Sequence, residues 1–403
     1  MSLLKNTPDL KNACRIGVIG GAFNPIHYGH LVAAEGARCE MDLDFVLFIP
    51  TGQPPHKASP TFSEHRYLMT VLAAADNPHF YTSRMELDRP GPSYTIDTLR
   101  DLKQVTNAEL FFIAGADEIM QILTWKDAHG LLGMCRWIAA VRPGYDDHVL
   151  SAHIKHLTDT FGCQIDILKM PGFDISGTAL RDLSRSDKPI KYMVPPAVER
   201  YVQELCLYLE PSPLYEIMHQ SVAFKLSPKR YQHTLGVIET SILLAARHDV
   251  DMRKAYQAAL LHDYAKELKE EEKLEMCKRY AIPLDDVQKS SIGLMHGQIG
   301  AEMARLEFSI EEDDILNAIS YHTTGRAGMG RLECIIKIAD NIEPNRPDYP
   351  GLEVIRRLAL YNVNRATVAA IERDIAYTNT KGQSIHRWGW EALADLEENY
   401  NEN

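Results

Sequence analysis

The sequence lacks an apolar run of the ~18 residues that a membrane-spanning helix needs. Its first residues, MSLLKNTPDLKNAC, contain no long apolar core and no small-residue cleavage site, so we expect no secretory signal. Basic residues are also in deficit, with 43 Lys and Arg against 55 Asp and Glu and a net charge of −12, which argues against a general nucleic-acid binder. We therefore expect a cytoplasmic protein without membrane or nucleic-acid partners.

The cysteines are few, and no two of them have the spacing that is typical of metal ligands. The seven stand at positions 14, 39, 135, 163, 206, 277 and 334, and none forms a C-x-x-C pair. This usage is typical of a reducing compartment, and we expect the thiols to be packed as small apolar groups.

Because the chain is acidic overall, any polyphosphate site must gather positive charge locally from Lys, Arg, helix ends or metal ions.

At 403 residues the chain is long enough for about two domains, and its composition of 45% hydrophobic and 24% charged residues is globular. Two prolines, Pro211 and Pro213, interrupt a predicted helix over 197–208. We therefore predict a domain over 14–208, a linker over 209–213 and a second domain over 214–403. We expect the acidic tail, 397–403, to be frayed.

The first half alternates short apolar runs with amphipathic stretches. The runs are Ile16–Ile19, Phe45–Ile49, Leu110–Ala114, Trp137–Val141 and Ile165–Met170. Helical spacing is found over 95–103, 118–123 and 178–183. Strands that alternate with helices predict right-handed crossovers and a mostly parallel sheet. The fold class predicted for this half is therefore an α/β, Rossmann-like domain.

The second half has almost no strand pattern. Helical spacing is found over 255–261, 271–280, 300–306 and 315–321. Ser227-Pro228 and Ile282-Pro283 are typical of helix starts or short connections. We therefore predict an all-α second domain.

The segment GGAFNPIHYGH, from Gly20 to His30, follows directly on the first apolar run. Paired glycines at the end of a buried strand predict a tight turn into a helix, and the backbone N–H groups of such a turn favour phosphate. His27 and His30 stand at the start of that helix, where two imidazoles can donate hydrogen bonds to a polyphosphate. The segment therefore predicts a site that holds a triphosphate for attack by another phosphate.

This segment resembles the signature of the HxGH nucleotidyltransferases, and more closely that of bacterial nicotinate-nucleotide adenylyltransferases. The resemblance extends from about Cys14 to Tyr208. It implies attack of the phosphate of nicotinate mononucleotide on the α-phosphorus of ATP, with release of pyrophosphate and with Mg²⁺ bound to ATP. Positioning and charge neutralisation would carry the reaction.

The resemblance also gives roles to individual residues. The catalytic residues that it implies are His27, His30, Lys57 and Arg181. The ATP- or substrate-binding residues that it implies are Gly20, Gly21, Phe23, Thr95, Asp117, Trp125, Arg142, Ser176 and Thr178. Two of these residues have an alternative, purely structural role. Asp117 equally suits a helix N-cap, and Lys57 suits a solvated surface position.

The two ends of the site have different implied ligands. Thr95 and its neighbours would offer backbone groups to the pyridine carboxylate, and Trp125 would stack on the pyridine ring. Ser176, Thr178 and Arg181 would hold the β- and γ-phosphates of ATP. Two positions depart from the family pattern: Lys126 replaces a residue that is often aromatic, and Gly177 replaces a second hydroxyl. The wall of the base pocket and the strength of phosphate binding therefore stay open.

A second constellation lies in the all-α half. It consists of His233, His262, Asp263, His296, His322 and Asp340. Imidazole and carboxylate together suit Zn²⁺, Fe or Mn²⁺ at hydrolytic sites. Because His262 and Asp263 are adjacent, they diverge by about 100° on a helix and can serve one cluster only if Asp263 bridges.

These residues and their neighbours, including HDYAK and ADNIEPNR, resemble an HD-domain phosphohydrolase, and within that superfamily the bacterial symmetrical diadenosine tetraphosphate hydrolases. The resemblance spans about 214–393. It implies one metal on His233, His262, Asp263 and Asp340, and a second on Asp263, His296 and His322, with iron as the metal. Lys266 and Arg346 would reach phosphate, although surface positions suit both equally well.

The sequence therefore predicts a bifunctional enzyme with ATP, nicotinate mononucleotide and diadenosine tetraphosphate as its small-molecule substrates, and it leaves a homo-oligomer open. A near alternative keeps both folds but changes the substrates, to another adenylyl acceptor and to a guanosine alarmone. A third possibility is a nucleotide sensor in which one domain is inert.

Overall fold

The computed structural model describes residues 8–54, 61–142, 147–171, 175–209 and 213–400. The chain separates into two compact units, which divide between residues 211 and 212. We refer to them as the N-terminal and the C-terminal unit. Among the described helices, none combines the length and the apolar character that crossing a bilayer requires.

A parallel sheet forms the centre of the N-terminal unit. Its strands are β1 (Arg15–Gly21), β2 (Phe45–Pro50), β3 (Phe80–Thr82), β4 (Glu109–Gly115), β5 (Arg136–Val141) and β6 (Ile165–Lys169). Their order is β3-β2-β1-β4-β5-β6, and every neighbouring pair is parallel. The winding direction therefore changes between β1 and β4, and the carboxyl ends of these two strands are where such sheets bind ligands.

Helices surround this sheet. They are α1 (Tyr28–Glu40), α2 (Ser63–Ala74), α3 (Met85–Asp88), α4 (Thr95–Val105), α5 (Ala116–Met120), α6 (Ala128–Leu132), α7 (Asp147–Phe161), α8 (Gly177–Arg185) and α9 (Pro196–Glu204). The inner strands are apolar on both faces because helices cover both, and Ile16, Val18 and Phe48 are each fully buried. The predicted α/β class of this half is confirmed.

Two helix predictions in this unit are wrong in detail. The stretch over 118–123 is not one helix, because α5 ends at Met120 and a separate 3-10 turn, Ile122–Thr124, follows it. The helix predicted over 197–208 ends already at Glu204. Cys206 and Tyr208 have φ values of 52° and 75°, and this left-handed backbone ends the helix before the prolines are reached.

The C-terminal unit is entirely helical over its described residues, which confirms the predicted all-α class. Its helices are α10 (Leu214–Lys225), α11 (Pro228–Arg247), α12 (Met252–Leu261), α13 (Glu270–Arg279), α14 (Asp286–Ser290), α15 (His296–Phe308), α16 (Asp313–Tyr321), α17 (Arg331–Ile342), α18 (Leu352–Tyr361), α19 (Val363–Thr380) and α20 (Arg387–Tyr400). Helix α11 packs on α12 and α17, and α16 packs between α15 and α17.

Two further expectations need correction. The acidic tail is not frayed over its described part, because α20 continues through Glu397 to Tyr400. Packed thiols were expected throughout, but Cys14, Cys39 and Cys206 are exposed. These three cysteines stand at the ends of elements, where the chain leaves the core. All seven cysteines are free.

Candidate functional sites

The imidazoles of His27 and His30 lie against each other at the carboxyl end of β1. Their ring centroids are 3.8 Å apart and the ring planes are inclined by 30°. The sequence places them there because β1 ends at Gly21 and α1 begins at Tyr28, so that His27 is the N-cap residue and His30 lies in the first turn. Both rings line one cavity of about 520 Å³.

One hydrogen bond fixes the tautomer of His30. The backbone N–H of His27 donates to His30 Nδ1 at 3.2 Å, so that the proton of the neutral ring is on Nε2. His27 is 4% exposed, and its buried Nδ1 has no hydrogen-bond partner within the described residues. Such an orphaned polar atom is costly unless a ligand satisfies it.

Both imidazoles are neutral near neutral pH. Burial, together with the charge of Arg142, lowers the pKa of His27 to about 4. Burial also holds the pKa of His30 well below its usual value, and the neighbouring His27 and Arg142 add to this shift. Each ring therefore offers one N–H donor without carrying a charge.

A small residue is required between the two histidines. A Cβ atom on Gly29 would lie 3.0 Å from both Cε1 and Nδ1 of the His27 ring. Phe23 supports the other ring, with its edge packed against His30 at a centroid distance of 5.0 Å. The glycine in H-x-G-H is thus explained by the space that the first imidazole occupies.

Asn24 connects the histidine loop to two distant parts of the unit. Arg181, in α8, donates from Nη1 to the Asn24 carbonyl oxygen at 2.7 Å. Tyr208 donates its hydroxyl to Asn24 Oδ1, also at 2.7 Å. A Cβ atom on Gly177 would lie 2.9 Å from the Asn24 carbonyl oxygen. This close approach explains why glycine replaces the second hydroxyl of the family pattern.

Arg66 joins the two loops that follow β1 and β2. Its side chain is 1% exposed and donates to the Ala22 carbonyl at 2.8 Å and to the Gly52 carbonyl at 3.0 Å. Burial lowers the pKa of Arg66 to about 10, which leaves it cationic at neutral pH. Sequence analysis did not single out Arg66, Asn24 or Tyr208, because each acts through partners far away along the chain.

A second cavity, of about 320 Å³, adjoins the first. The two cavities share Gly20, Gly21, Ala22, Pro54 and Glu118 in their walls. The first is lined by the imidazoles, Arg142, Thr178 and Arg181, and the second by Thr95, Trp125 and Lys126. We call them the phosphate cavity and the mononucleotide cavity. Their common wall allows two ligands to meet at the glycine turn.

In the C-terminal unit, three helices and the segments that follow two others bring six side chains together. His233 is on α11 and Asp340 on α17, while His296 is the first residue of α15. Helix α12 ends at Leu261 and α16 at Tyr321, so that His262, Asp263 and His322 lie just beyond helix ends. Their donor atoms form two groups within which all atoms lie within 4.8 Å: His233, His262 and Asp340, and Asp263, His296 and His322.

Asp263 faces both groups with different oxygens. Its Oδ2 lies 3.5 Å from His262 Nε2 and 3.9 Å from His233 Nε2. Its Oδ1 lies 3.1 Å from His296 Nε2 and 3.7 Å from His322 Nε2. The carboxylate is 2% exposed, so the geometry suits one bridging group between two cations.

The outer nitrogens of these rings fix their tautomers. Nδ1 of His262, His296 and His322 lies 2.7, 2.7 and 2.8 Å from a backbone carbonyl oxygen. Because a carbonyl only accepts, each Nδ1 carries the proton and each Nε2 turns its lone pair inward. Nε2 of His296 and of His322 lie 3.0 Å apart.

The inward atoms have the properties of metal ligands. Nε2 of His233, Nε2 of His262 and Oδ1 of Asp263 are buried without a hydrogen-bond partner within the described part of the chain. Lone pairs and carboxylates that converge in this way require positive charge between them. The residues present therefore fit a pair of divalent cations with mixed nitrogen and oxygen ligands.

Three cationic side chains border the same cluster. Arg230 Nη1 lies 2.9 Å from Asp263 Oδ2, and Arg346 Nη2 lies 2.6 Å from Asp340 Oδ1. Lys266 Nζ lies 3.2 Å from His296 Nε2. Lys266 and Arg346 both line a cavity of about 320 Å³ beside the cluster, so neither is an ordinary surface side chain.

The N-terminal unit is similar in sequence to known proteins. Residues 18–183 match the cytidylyltransferase-like family. The probable nicotinate-nucleotide adenylyltransferase of Thermoanaerobacter sp. (strain X514) is 44% identical over 203 residues, which are 49% of this chain and 96% of that protein. The probable enzyme of the same name from Moorella thermoacetica is 47% identical over 198 residues, 48% of this chain and 91% of that protein.

Through its N-terminal unit, the chain belongs to the nicotinate-nucleotide adenylyltransferase family. Each of these relatives matches about half of this chain.

The C-terminal unit contains an HD domain, which matches over residues 230–345. A solved structure described as a predicted HD superfamily hydrolase involved in NAD metabolism, from Clostridium acetobutylicum, is 36% identical to this chain. The match covers 46% of this chain and 97% of the chain of that structure, with a TM-score of 0.45.

The N-terminal unit brings most of its predicted site residues to the two cavities. Gly20, Gly21, Phe23, His27, His30, Asp117, Arg142, Thr178 and Arg181 line the phosphate cavity. Thr95 and Trp125 line the mononucleotide cavity. Lys57 lies outside the described residues. Ser176 does not line the phosphate cavity within the described residues; it is the N-cap of α8 and accepts from the Ala179 N–H at 3.2 Å.

Asp117 is not a helix N-cap, so that alternative is wrong. Gly115 occupies the N-cap position of α5, and its N–H donates to Glu118 Oε2 at 2.9 Å. The Asp117 carboxylate is exposed and faces the phosphate cavity. Glu118 contacts both cavities, although sequence analysis of the adenylyltransferase unit did not select it.

Proposed function

We propose that the chain is a bifunctional enzyme of nucleotide metabolism in the cytoplasm. Its adenylyltransferase unit transfers AMP from MgATP to nicotinate mononucleotide, which gives deamido-NAD and pyrophosphate. Two adjoining cavities with a common glycine wall are the observation that supports this reaction most strongly. ATP would place its triphosphate beside the imidazoles, and nicotinate mononucleotide would bring its phosphate to the same glycine turn.

The protein's part in this reaction is to position and to neutralise. The imidazole N–H groups of His27 and His30 donate to phosphate oxygens of ATP, and Arg181, in α8, adds a cation. The α-phosphorus is then held in line with the attacking phosphate oxygen, and pyrophosphate leaves on the opposite side. Asp117 provides an oxygen ligand of the kind that Mg²⁺ prefers beside the phosphates.

Neutral imidazoles suit this task. A charged pair 3.8 Å apart would repel before ATP arrives, whereas two neutral rings can coexist and still donate. Bound phosphates then raise the pKa of both rings, so that positive charge can develop where negative charge accumulates.

A turnover assay tests this function directly. The full chain is incubated with MgATP and either nicotinate or nicotinamide mononucleotide, and pyrophosphate release is measured. We expect turnover with the acid, a clear preference over the amide, and loss of turnover in His27→Ala. No pyrophosphate release with either acceptor, from folded protein, would contradict the proposal.

For the C-terminal unit we propose symmetrical hydrolysis of diadenosine tetraphosphate to two ADP, with a pair of divalent ions, preferably iron. His233, His262 and Asp340 would hold one ion, His296 and His322 the other, and Asp263 would bridge. When bound, these ions would supply charge to the attacked phosphate and lower the pKa of a water molecule. The buried, orphaned ligand atoms are the observation that supports this proposal most strongly.

Residues around the ions would bind the rest of the substrate. Lys266 and Arg346 stand between the cluster and the adjacent cavity, where they can neutralise phosphates. Farther along, Ile371, Ile375 and Tyr377 line the same cavity and offer apolar surface to a nucleoside. The cavity thus combines a polar end at the metals with an apolar end.

Product analysis separates the candidates for this unit. Chain purified without chelator is analysed for metal and then given diadenosine tetraphosphate or a guanosine alarmone. We expect two bound transition-metal ions and ADP as the sole product of the first compound. ATP plus AMP, or turnover of the alarmone alone, would overturn the proposed specificity. Binding without turnover, with Mg²⁺ and Fe²⁺ both present, would favour a nucleotide sensor.

A further inference from the structure

The mononucleotide cavity has an unusual charge pattern for a site that takes an anion. Among its described lining residues, Lys126 is the one cationic side chain, whereas Glu86 and Glu118 are acidic. Burial raises the pKa of Glu86, which lowers its tendency to carry negative charge. The positive charge that a carboxylate-bearing ligand would meet in these walls is therefore that of Lys126.

Two contacts hold the Lys126 ammonium group in place. Nζ lies 2.9 Å from Asp97 Oδ2 and 4.2 Å from the centroid of the Tyr94 ring. The hydrogen bond from Lys126 is the largest cause of the lowered pKa of Asp97, which therefore stays ionised as an anchor. An ammonium group has three N–H donors, and Asp97 can occupy one of them at this distance. The others remain available to a ligand.

Lys126 also lies beside the residues that a pyridine ring would contact. It follows Trp125, which lines the cavity and packs against Phe112 at a centroid distance of 6.4 Å. On the other side, Tyr94 and Thr95 start α4 and line the same cavity. A pyridine ring that enters between Trp125 and α4 would therefore lie beside the anchored lysine.

We propose that Lys126 is a specificity-determining residue that favours the acid over the amide form of the pyridine mononucleotide, by donating a charged hydrogen bond to the ring carboxylate. This inference rests on the proposed adenylyl transfer. A single backbone N–H can donate to a carboxylate oxygen or to an amide oxygen alike, so it discriminates weakly. An ammonium group discriminates by charge, because the amide is neutral and its –NH₂ group is itself a donor.

The test compares kcat/KM for nicotinate and nicotinamide mononucleotide in the full chain and three variants. Lys126→Met keeps the stem and removes the charge, and Lys126→Arg keeps the charge. Arg100→Met is the matched control, because Arg100 also pairs with Asp97, at 3.2 Å, but does not line the cavity within the described residues. The Kd of MgATP and the unfolding midpoint show that each variant is folded.

We expect the acid-to-amide ratio of kcat/KM to fall about tenfold in Lys126→Met, the worth of a hydrogen bond to a charged group in a partly exposed site. We expect Lys126→Arg to keep the ratio within about threefold, and Arg100→Met to leave it unchanged. An unchanged ratio in folded Lys126→Met, or an equal fall in Arg100→Met, would overturn the inference. If the unmodified chain does not turn over nicotinate mononucleotide at all, it is the proposed function that fails.

Discussion

At the scale of single residues, the phosphate cavity depends on imidazoles that are kept neutral by burial. The environment of His27 lowers its pKa to about 4, so the unfolded chain binds a proton more readily than the folded one between about pH 4 and pH 6.5. The folded state is therefore penalised as the pH falls through this window, and the full stability contribution is present only above it.

This linkage predicts a difference between the unmodified chain and His27→Gln. On going from pH 7 to pH 5 the unmodified N-terminal unit should lose about 2 kcal/mol that the variant does not lose, because glutamine does not titrate. Urea unfolding of both proteins at both pH values measures this loss. The transition of the N-terminal unit is recognised in the unmodified chain by its shift with MgATP. Equal losses in both proteins would show that His27 is not held neutral.

The glycine between the histidines gives a second prediction. In Gly29→Ala the new Cβ would meet the His27 ring at 3.0 Å, so we expect the ring to move and kcat/KM for adenylyl transfer to fall by at least about tenfold. Stability should not fall in parallel, because alanine favours helix by up to about 1 kcal/mol over glycine.

A control lies in the same helix. A Cβ atom on Gly36 would approach Leu168 at an ordinary 3.5 Å, so Gly36→Ala should keep full activity. A similar loss of kcat/KM in the two variants would mean that activity depends on alanine in the helix and not on displacement of the His27 imidazole.

At the scale of elements, a side-chain cap at the start of α11 helps to position ligands of the C-terminal cluster. Glu267 accepts from the backbone N–H of Ser227 at 2.5 Å and from its hydroxyl at 2.6 Å. Ser227 precedes the helix that carries Arg230 and His233. Glu267 itself follows Asp263 by one turn of chain, so the contact ties two ligand-bearing segments together.

We expect Glu267→Ala to lower the free energy of unfolding of the C-terminal unit by about 1–2 kcal/mol through loss of this cap, and to lower hydrolytic activity with it. Glu275→Ala, in an exposed position on α13, is the matched control and should change neither. Denaturant titration followed by a hydrolysis assay compares them. A cap variant with unaltered stability would refute the role given to Glu267.

Much of the element order follows from the sequence, and the exceptions have physical causes. Strands β1, β2, β4 and β5 have apolar runs because both their faces are buried, whereas β3, Phe80–Thr82, is too short to show such a run. At the edge of the sheet, β6 has one buried residue, Leu168. The motif histidines could be found because their neighbours in the chain are also their neighbours in space. Asn24 and Tyr208 could not be paired, because 184 residues separate them and only the fold brings them together.

At the scale of the whole molecule, two compact units each contain their own site. The donor sets differ in kind. The phosphate cavity offers hydrogen-bond donors and exposed carboxylate oxygen, which suit Mg²⁺ that arrives with ATP. The C-terminal cluster offers four imidazoles and two carboxylates, which bind transition metals more tightly.

This difference predicts separate metal requirements. After treatment with a chelator and dialysis, Mg²⁺ alone should restore adenylyl transfer, whereas hydrolysis should need Fe²⁺ or Mn²⁺ as well. Assays of both reactions on one chelated sample, with each metal added in turn, provide the measurement. Full recovery of hydrolysis with Mg²⁺ alone would contradict the assignment of the imidazole cluster as a transition-metal site.

If the two sites of this chain are chemically independent, one substitution in each should abolish one activity and spare the other. His27→Ala and Asp263→Asn are each assayed for adenylyl transfer to nicotinate mononucleotide and for hydrolysis of diadenosine tetraphosphate. We predict that His27→Ala loses only the transfer and Asp263→Asn only the hydrolysis. Loss of both activities in either folded variant, or of neither activity in both variants, would contradict the independence of the two sites.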